Sequence, residues 1–77
     1  KGDASKLQPQ HVAKIRLILT RLNAATSPDD MNVPGYGLHR LTGKLEGFLS
    51  VKVDKNYRVI FRFGEGRVYD VDYLDYH

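Results

Sequence analysis

Asp75, Tyr76 and His77 stand in a row at the end of the 77-residue chain, and His39 lies between Leu38 and Arg40. These residue types can move protons. A histidine titrates near neutral pH and acts as base or acid, and a carboxylate beside it can hold it in place. Cations are close by in sequence: Arg40, Lys44, Lys52, Lys55, Arg58 and Arg62 face only Glu46 and Asp54 over positions 40–62. After Phe63 the sign reverses, with Glu65, Asp70, Asp72 and Asp75 against Arg67. A basic middle and an acidic end suit a polyanionic partner met by a few carboxylates. An arginine can stabilise charge developing on a phosphoryl group. RNA carries its own nucleophile, the ribose 2′-hydroxyl, so a base, an acid and a cation suffice for cleavage and no metal or other cofactor is called for.

Each of these residues also has a plainer reading. His39 fits a surface or capping histidine, and Asp75 an ordinary surface carboxylate. Tyr76 fits an amphipathic residue packed at a sheet end, and His77 is a chain terminus, where disorder is common. The basic run fits a solvated mixed surface. Taken alone, the residues give a basic α+β domain carrying an acid–base cluster.

Several other chemistries are excluded. The chain has no cysteine, so neither disulfides nor thiolate metal sites are available, and its three histidines are scattered without zinc spacing. Gly35-Tyr36-Gly37 lacks the third glycine of a dinucleotide fingerprint, because Arg40 holds that place. Gly43-Lys44 is followed by Leu45 and not by Ser or Thr, which rules out a phosphate-loop lysine. Ser50 sits in a strand pattern without the sharp turn of a nucleophile elbow. No apolar run reaches the roughly 18 residues that would cross a bilayer, and the polar start at Lys1 has no following apolar stretch like that of a secretory signal. A cytoplasmic protein without a membrane partner is the expectation. Twelve Lys and Arg against nine Asp and Glu give a formal charge of +3, and the length fits one domain spanning residues 1–77.

The elements that must position these groups follow from periodicity. Positions 1–6 are polar and read as irregular, and Pro9 suits a first helical turn. Val12, Ile15, Ile18, Leu19, Leu22 and Ala25 recur at helical spacing, with Lys14, Arg16 and Arg21 off the stripe. This predicts an amphipathic helix of about four turns ending before Ser27-Pro28. Ser27 to Asp30 suit one short helical turn, and positions 32–37, with Pro34, Gly35 and Gly37, a loop that leaves His39 ahead of the sheet. Three alternating stretches then predict an antiparallel meander with one apolar and one polar face. Their apolar positions are Leu49, Val51 and Val53, then Tyr57, Val59, Phe61 and Phe63, then Tyr69, Val71 and Tyr73.

Register sharpens that expectation. Opposed residues of an antiparallel pair share a face. Placing Val53 opposite Tyr57 makes Asp54-Lys55-Asn56 a three-residue loop, and placing Tyr57, Val59 and Phe61 opposite Tyr73, Val71 and Tyr69 makes Gly64-Glu65-Gly66 another. The polar face then sets Lys52 against Arg58, and Arg58 against Asp72. Two readings of that row stand side by side. Either Asp72 neutralises Arg58 while Lys52 bends into water, or Lys52 and Arg58 hold an anion such as a phosphate. Strict alternation places Tyr76 on the Arg58 face and Asp75 and His77 on the other.

Positions 38–77 also carry a resemblance. His39-Arg40-Leu41-Thr42-Gly43, Gly47-Phe48-Leu49-Ser50-Val51-Lys52-Val53, Asn56-Tyr57-Arg58-Val59-Ile60-Phe61-Arg62-Phe63 and the closing Asp75-Tyr76-His77 together resemble the HigB branch of the RelE superfamily. These are toxins of type II toxin–antitoxin pairs, the plasmid maintenance killer family. The helix ending Leu22-Asn23-Ala24-Ala25-Thr26 is similar to that family's long helix, so the likeness covers about residues 12–77. It implies an α+β microbial RNase fold, with a helix packed on a small twisted antiparallel sheet. Relatives begin with a strand and part of a helix ahead of the position of Lys1, which implies an N-terminally incomplete domain here. The family also implies ribosome-dependent mRNA cleavage in the 30S A site. Its other implied partner is a HigA-like helix-turn-helix antitoxin, through which alone the toxin would meet operator DNA.

Carried over by matching residue, His39, Arg58, Asp75, Tyr76 and His77 are the implied catalytic set. Arg40, Lys44, Lys52, Lys55 and Arg62 are the RNA-binding candidates. Some relatives carry a basic residue where Asp54 and Thr42 stand, and Lys55 can substitute for the first. Other readings of the same resemblance are a ParE-type chain that binds a protein target such as gyrase, and an inactive fragment. The Asp75-Tyr76-His77 ending favours the nuclease.

Overall fold

The structure, a computed structural model, describes residues 9–75. The expectations for positions 1–8, 76 and 77 lie outside the described residues. Pro9–His11 forms a single 3-10 turn that runs directly into helix α1, Val12–Ala24. Ile15, Ile18, Leu22 and Ala25 of the predicted stripe are buried, while Leu19 at its border is 44% exposed. The helix ends as Ala25 turns to extended backbone and its N–H bonds the carbonyl of Leu22. The short turn expected after it is present as a 3-10 turn, Pro28–Met31. The Asp30 carboxylate accepts from the N–H groups of Thr26 (2.9 Å) and Ser27 (3.3 Å), which satisfies donors that a helical start leaves orphaned. This turn seats Met31, fully buried, in the core.

Four strands follow: β1 His39–Arg40, β2 Leu49–Lys52, β3 Tyr57–Gly64 and β4 Arg67–Asp75. They form one antiparallel sheet in sequential order. The α+β expectation holds. Leu49, Val51, Val53, Val59 and Phe61 form one core with Ile15, Ile18 and Leu22 of α1. Fully burying such a side chain is worth about 1.5–3 kcal/mol, which is how a helix of thirteen residues is held.

β2 and β3 pair as expected, with Val51 opposite Val59 and Lys52 opposite Arg58. The backbone N–H of Val53 bonds the carbonyl of Tyr57 across the Asp54-Lys55-Asn56 loop (2.9 Å). Four expectations are corrected. His39 is not in the loop before the sheet; it starts β1, opposite Ser50. The second hairpin turns on two residues, because Gly64 pairs with Arg67 and only Glu65-Gly66 lie between. Both have positive φ, 53° and 79°, the signature of a type I′ turn, which matches strand twist. A two-residue turn changes the register parity, so Tyr69 falls opposite Arg62 and not Phe61. A bulge then intervenes at Asp70-Val71, between the Ile60 and Arg62 pairings, with Asp70 at φ 55°. One extra residue restores the parity. Val59 therefore meets Tyr73, Tyr57 meets Asp75 and Arg58 meets Leu74, two positions beyond the expected partners. The third correction follows directly: Asp72 lies opposite Ile60, not Arg58. Nor is the outer face wholly polar, since Ser50 and Ile60 on it are buried.

Candidate active site

The sheet face turned away from α1 collects the candidates by register. His39, Ser50, Ile60 and Asp72 make one cross-strand row, and Lys52, Arg58 and Leu74 the next. Arg62 lies two residues beyond Ile60 on the same strand face. Arg58 is half-buried, and its Nη1 donates to the hydroxyl of Ser50 at 3.1 Å; Ser50 itself is 0% exposed. Lys52 is exposed beside it. The backbone N–H of Lys52 bonds the carbonyl of Tyr36 (2.6 Å), so the glycine-rich loop runs along β2. Gly37, at φ 59°, lies where the stem of Lys52 passes. Two cations on adjacent strands with an imidazole one row away can hold a phosphate, stabilise its extra negative charge and exchange a proton with it.

The other basic candidates lie around this patch. Lys55 occupies the β2–β3 loop, Lys44 the 3-10 turn Gly43–Leu45, and both are exposed. The guanidinium of Arg62 lies 4.5 Å from the ring centroid of Phe48, and its Nε is 3.8 Å from Asp70 Oδ2. Arg40 points to the other side of β1, opposite Leu49. There, an open cleft of about 460 Å³ is lined by Ser27, Pro28, Asp29, Leu38, His39, Arg40 and Leu49. Asp75 is exposed at the end of β4 opposite Tyr57, on the face away from Arg58 and one row along. His39, Lys52 and Arg58 are thus brought together, while Asp75 lies across the sheet, as alternation predicts. Tyr76 and His77 lie outside the described residues.

One histidine escaped the sequence reading. His11 is 4% exposed. Its Nε2 meets Asp54 Oδ2 at 2.6 Å and its Nδ1 meets the Tyr73 hydroxyl at 3.0 Å. With Asp54 ionised, Nε2 donates to it, and in the neutral imidazole Nδ1 accepts the phenolic proton. Tyr57 packs against the imidazole (5.0 Å between ring centroids) and stacks on Tyr73 (5.3 Å, 13° between planes). This cluster fastens the start of α1 to the β2–β3 loop and to β4, on the core side of the strand that carries Arg58. The signal for it was spacing. His11, Ile15, Ile18 and Leu22 fall at i, i+4, i+7 and i+11, so His11 extends the buried stripe by one turn. The Asp54 carboxyl is held below its ordinary range by the Asn56 N–H above all; burial opposes this, and the His11 side chain and the Tyr57 N–H add to it. The Asp30 carboxyl is held low in the same way, first by the Thr26 N–H and then by that of Ser27.

Comparison with known proteins places the sequence that carries this geometry. The family model described as "HigB-like_toxin: RelE-like toxin of type II toxin-antitoxin system HigB" matches residues 1–77. An endoribonuclease HigB of Proteus vulgaris is 38% identical over the whole chain, which covers 84% of that protein. Toxin HigB-1 of Vibrio cholerae serotype O1 (strain ATCC 39315 / El Tor Inaba N16961) is 39% identical over 57 residues, 73% of this chain and 59% of that protein. On the family match over residues 1–77 and the full-length identity to the Proteus vulgaris protein, the chain belongs to the HigB-like family, the RelE-like toxins of type II toxin–antitoxin systems, in which a toxin is paired with an antitoxin.

Proposed function

We propose that this chain is a ribosome-dependent mRNA endonuclease that cleaves without a metal, as one RelE-like domain acting in the cytoplasm. The observation that carries the reading is the opposed pair Lys52 and Arg58, one row from His39 on the outer sheet face. The name of the Proteus vulgaris relative, an endoribonuclease, supports it. In this reading His77 or His39 takes the proton of the ribose 2′-hydroxyl. The freed oxygen attacks the adjacent phosphorus, and the 5′-oxygen leaves with a proton from the other histidine, closing a 2′,3′-cyclic phosphate. Arg58, with Lys52 or Lys55, stabilises the phosphorane-like transition state. Tyr76 stacks on or orients a base, and Asp75 positions His77 or Tyr76. Arg40, Lys44 and Arg62 hold the RNA backbone. The ribosomal A site supplies alignment of the mRNA, which is worth much of the rate when the toxin's own contacts are few. A HigA-like helix-turn-helix antitoxin silences the toxin and carries the pair to operator DNA.

The test is cleavage of mRNA on purified, programmed ribosomes by the parent and by His77→Ala. A-site cleavage by the parent and its loss in the variant is the expected result. A folded parent that leaves the message intact overturns the reading and turns attention to a protein target. A fully active His77→Ala variant removes His77 from the mechanism.

A further inference from the structure

We propose that Ser50 is a positioning residue for Arg58, and that its buried hydroxyl sets where the guanidinium meets phosphate. The proposal rests on the nuclease reading above. Arg58 lies directly opposite Lys52, and two opposed cations repel. Asp72, the carboxylate that simple alternation would set against Arg58, is carried to Ile60 by the bulge at Asp70-Val71. At Arg58's own cross-strand position β4 offers Leu74 instead. A guanidinium opposite a second cation gains from a contact that turns it, and a neutral contact adds no charge of its own. The Ser50 hydroxyl does this by accepting from Nη1 at 3.1 Å.

Ser50 belongs to the next row, paired with His39 on one side and Ile60 on the other. The bond therefore draws the guanidinium away from Lys52 and toward the row that carries the imidazole. Because a hydroxyl is neutral, this bond takes nothing from the charge that Arg58 brings to the phosphate. A carboxylate in the same place would hold it more tightly and cancel that charge. Burial makes the hydroxyl a fixed acceptor: Ser50 is 0% exposed, so water does not compete for it as it would at the surface. A serine in the middle of a buried strand segment, Leu49-Ser50-Val51, is costly unless its hydroxyl is used. Arg58 uses it.

Single-turnover cleavage on programmed ribosomes tests the idea with Ser50→Ala, Arg58→Lys and the double variant. Ser50→Ala removes one oxygen from a buried site and leaves the strand's shape intact. The expected result is a cleavage rate lowered about tenfold, with the half-saturating toxin concentration unchanged, because the bond orients a group that acts in the transition state. In the Arg58→Lys background the same change is expected to cost less than twofold, since the forked donor it aims is gone. A purely structural serine would lower stability and rate alike in both backgrounds, and that result overturns the proposal, as does a parent-like rate in Ser50→Ala. Side-chain 15N NMR of Arg58 provides a readout that needs no cleavage. Resolved, slowly rotating Nη signals in the parent that average in Ser50→Ala are expected, and averaged signals in the parent overturn the positioning role. If the parent shows the restrained guanidinium yet no message is cut, the nuclease reading fails and the Ser50–Arg58 bond stands.

Discussion

Lys52 and Arg58 place two positive charges on directly opposed positions of β2 and β3. Like charges so placed cost stability, of order 0.2–1 kcal/mol. A sequence that keeps such a pair gives up stability for something else. Lys52→Gln is accordingly expected to raise the stability of the fold by a few tenths of a kcal/mol while lowering the ribosomal cleavage rate about a hundredfold, the lower end of the loss seen when one charge-stabilising donor is removed. Urea unfolding and single-turnover cleavage on the same variant read the two effects. A variant that is more stable and fully active would remove Lys52 from the site. At this scale the sequence is legible where period-2 alternation acts alone. Lys52 opposite Arg58 follows from the three-residue Asp54-Lys55-Asn56 loop, and the structure has it so. Ser50 is less legible, because a serine alternating with Leu49 and Val51 reads as solvent-facing, whereas the fold buries it. His11 is hidden for the opposite reason: residue type argues for a surface position, and only its place on the α1 stripe argues for burial.

Strand β4 shows how one element can be found in the right place and set in the wrong register. Its apolar alternation is visible in Tyr69, Val71 and Tyr73, yet only Tyr73 packs against the core, and Tyr69 and Val71 are 46% and 42% exposed. Gly64-Glu65-Gly66 contains two glycines, so glycine content alone does not say which pair of the three makes the turn. The bulge is equally hidden, because Asp70 is not a glycine and its left-handed backbone, φ 55°, leaves no mark in the sequence. Aspartate tolerates that conformation better than most residues. Glu65, also left-handed at φ 53°, does not belong to the residues that favour a type I′ turn. Glu65→Asn is therefore expected to stabilise the hairpin by about 0.5–1 kcal/mol through relief of this strain. The shift of the urea midpoint at unchanged m-value measures it. If Glu65→Asn lowers the midpoint, the turn is not the two-residue type I′ turn described. Helix α1 was easier to read, since its stripe is long and Ser27-Pro28 limits it on one side; among its predicted apolar positions only the border residue Leu19 is exposed.

For the molecule as a whole, α1 crosses one face of the sheet, and His39, Lys52 and Arg58 lie on the other, so the same strands carry both the core and these site residues. What holds the ends of those strands therefore decides whether the site keeps its shape. Two carboxylates do this work from loops. Asp30 holds the turn that seats Met31, and Asp54 ties the β2–β3 loop to His11 and, through it, to Tyr73 of β4. Both carboxyls are held below the ordinary aspartate value of 3.8 by N–H donors that favour the charged form. The unfolded chain then binds more protons than the folded one in the interval between the folded and ordinary values. The contribution of each carboxylate is fully present above about pH 4 and drains away as pH falls through its folded value. Because Asp54 is 42% exposed at its side chain, solvent and salt screen its charge, and the size of the effect rests mainly on its short hydrogen bonds. Asp54→Asn is expected to be less stable than the parent at neutral pH, and that gap should narrow as pH is lowered below 4 until the two proteins unfold alike. Urea titrations of both at about pH 7, 4 and 2.5 follow it. A gap as wide at the lowest pH as at neutrality would mean that the Asp54 charge plays no part in holding the loop. In that case the Tyr57–Tyr73 stack and the buried imidazole, which do not depend on ionising Asp54, would be what ties β4 to the start of α1.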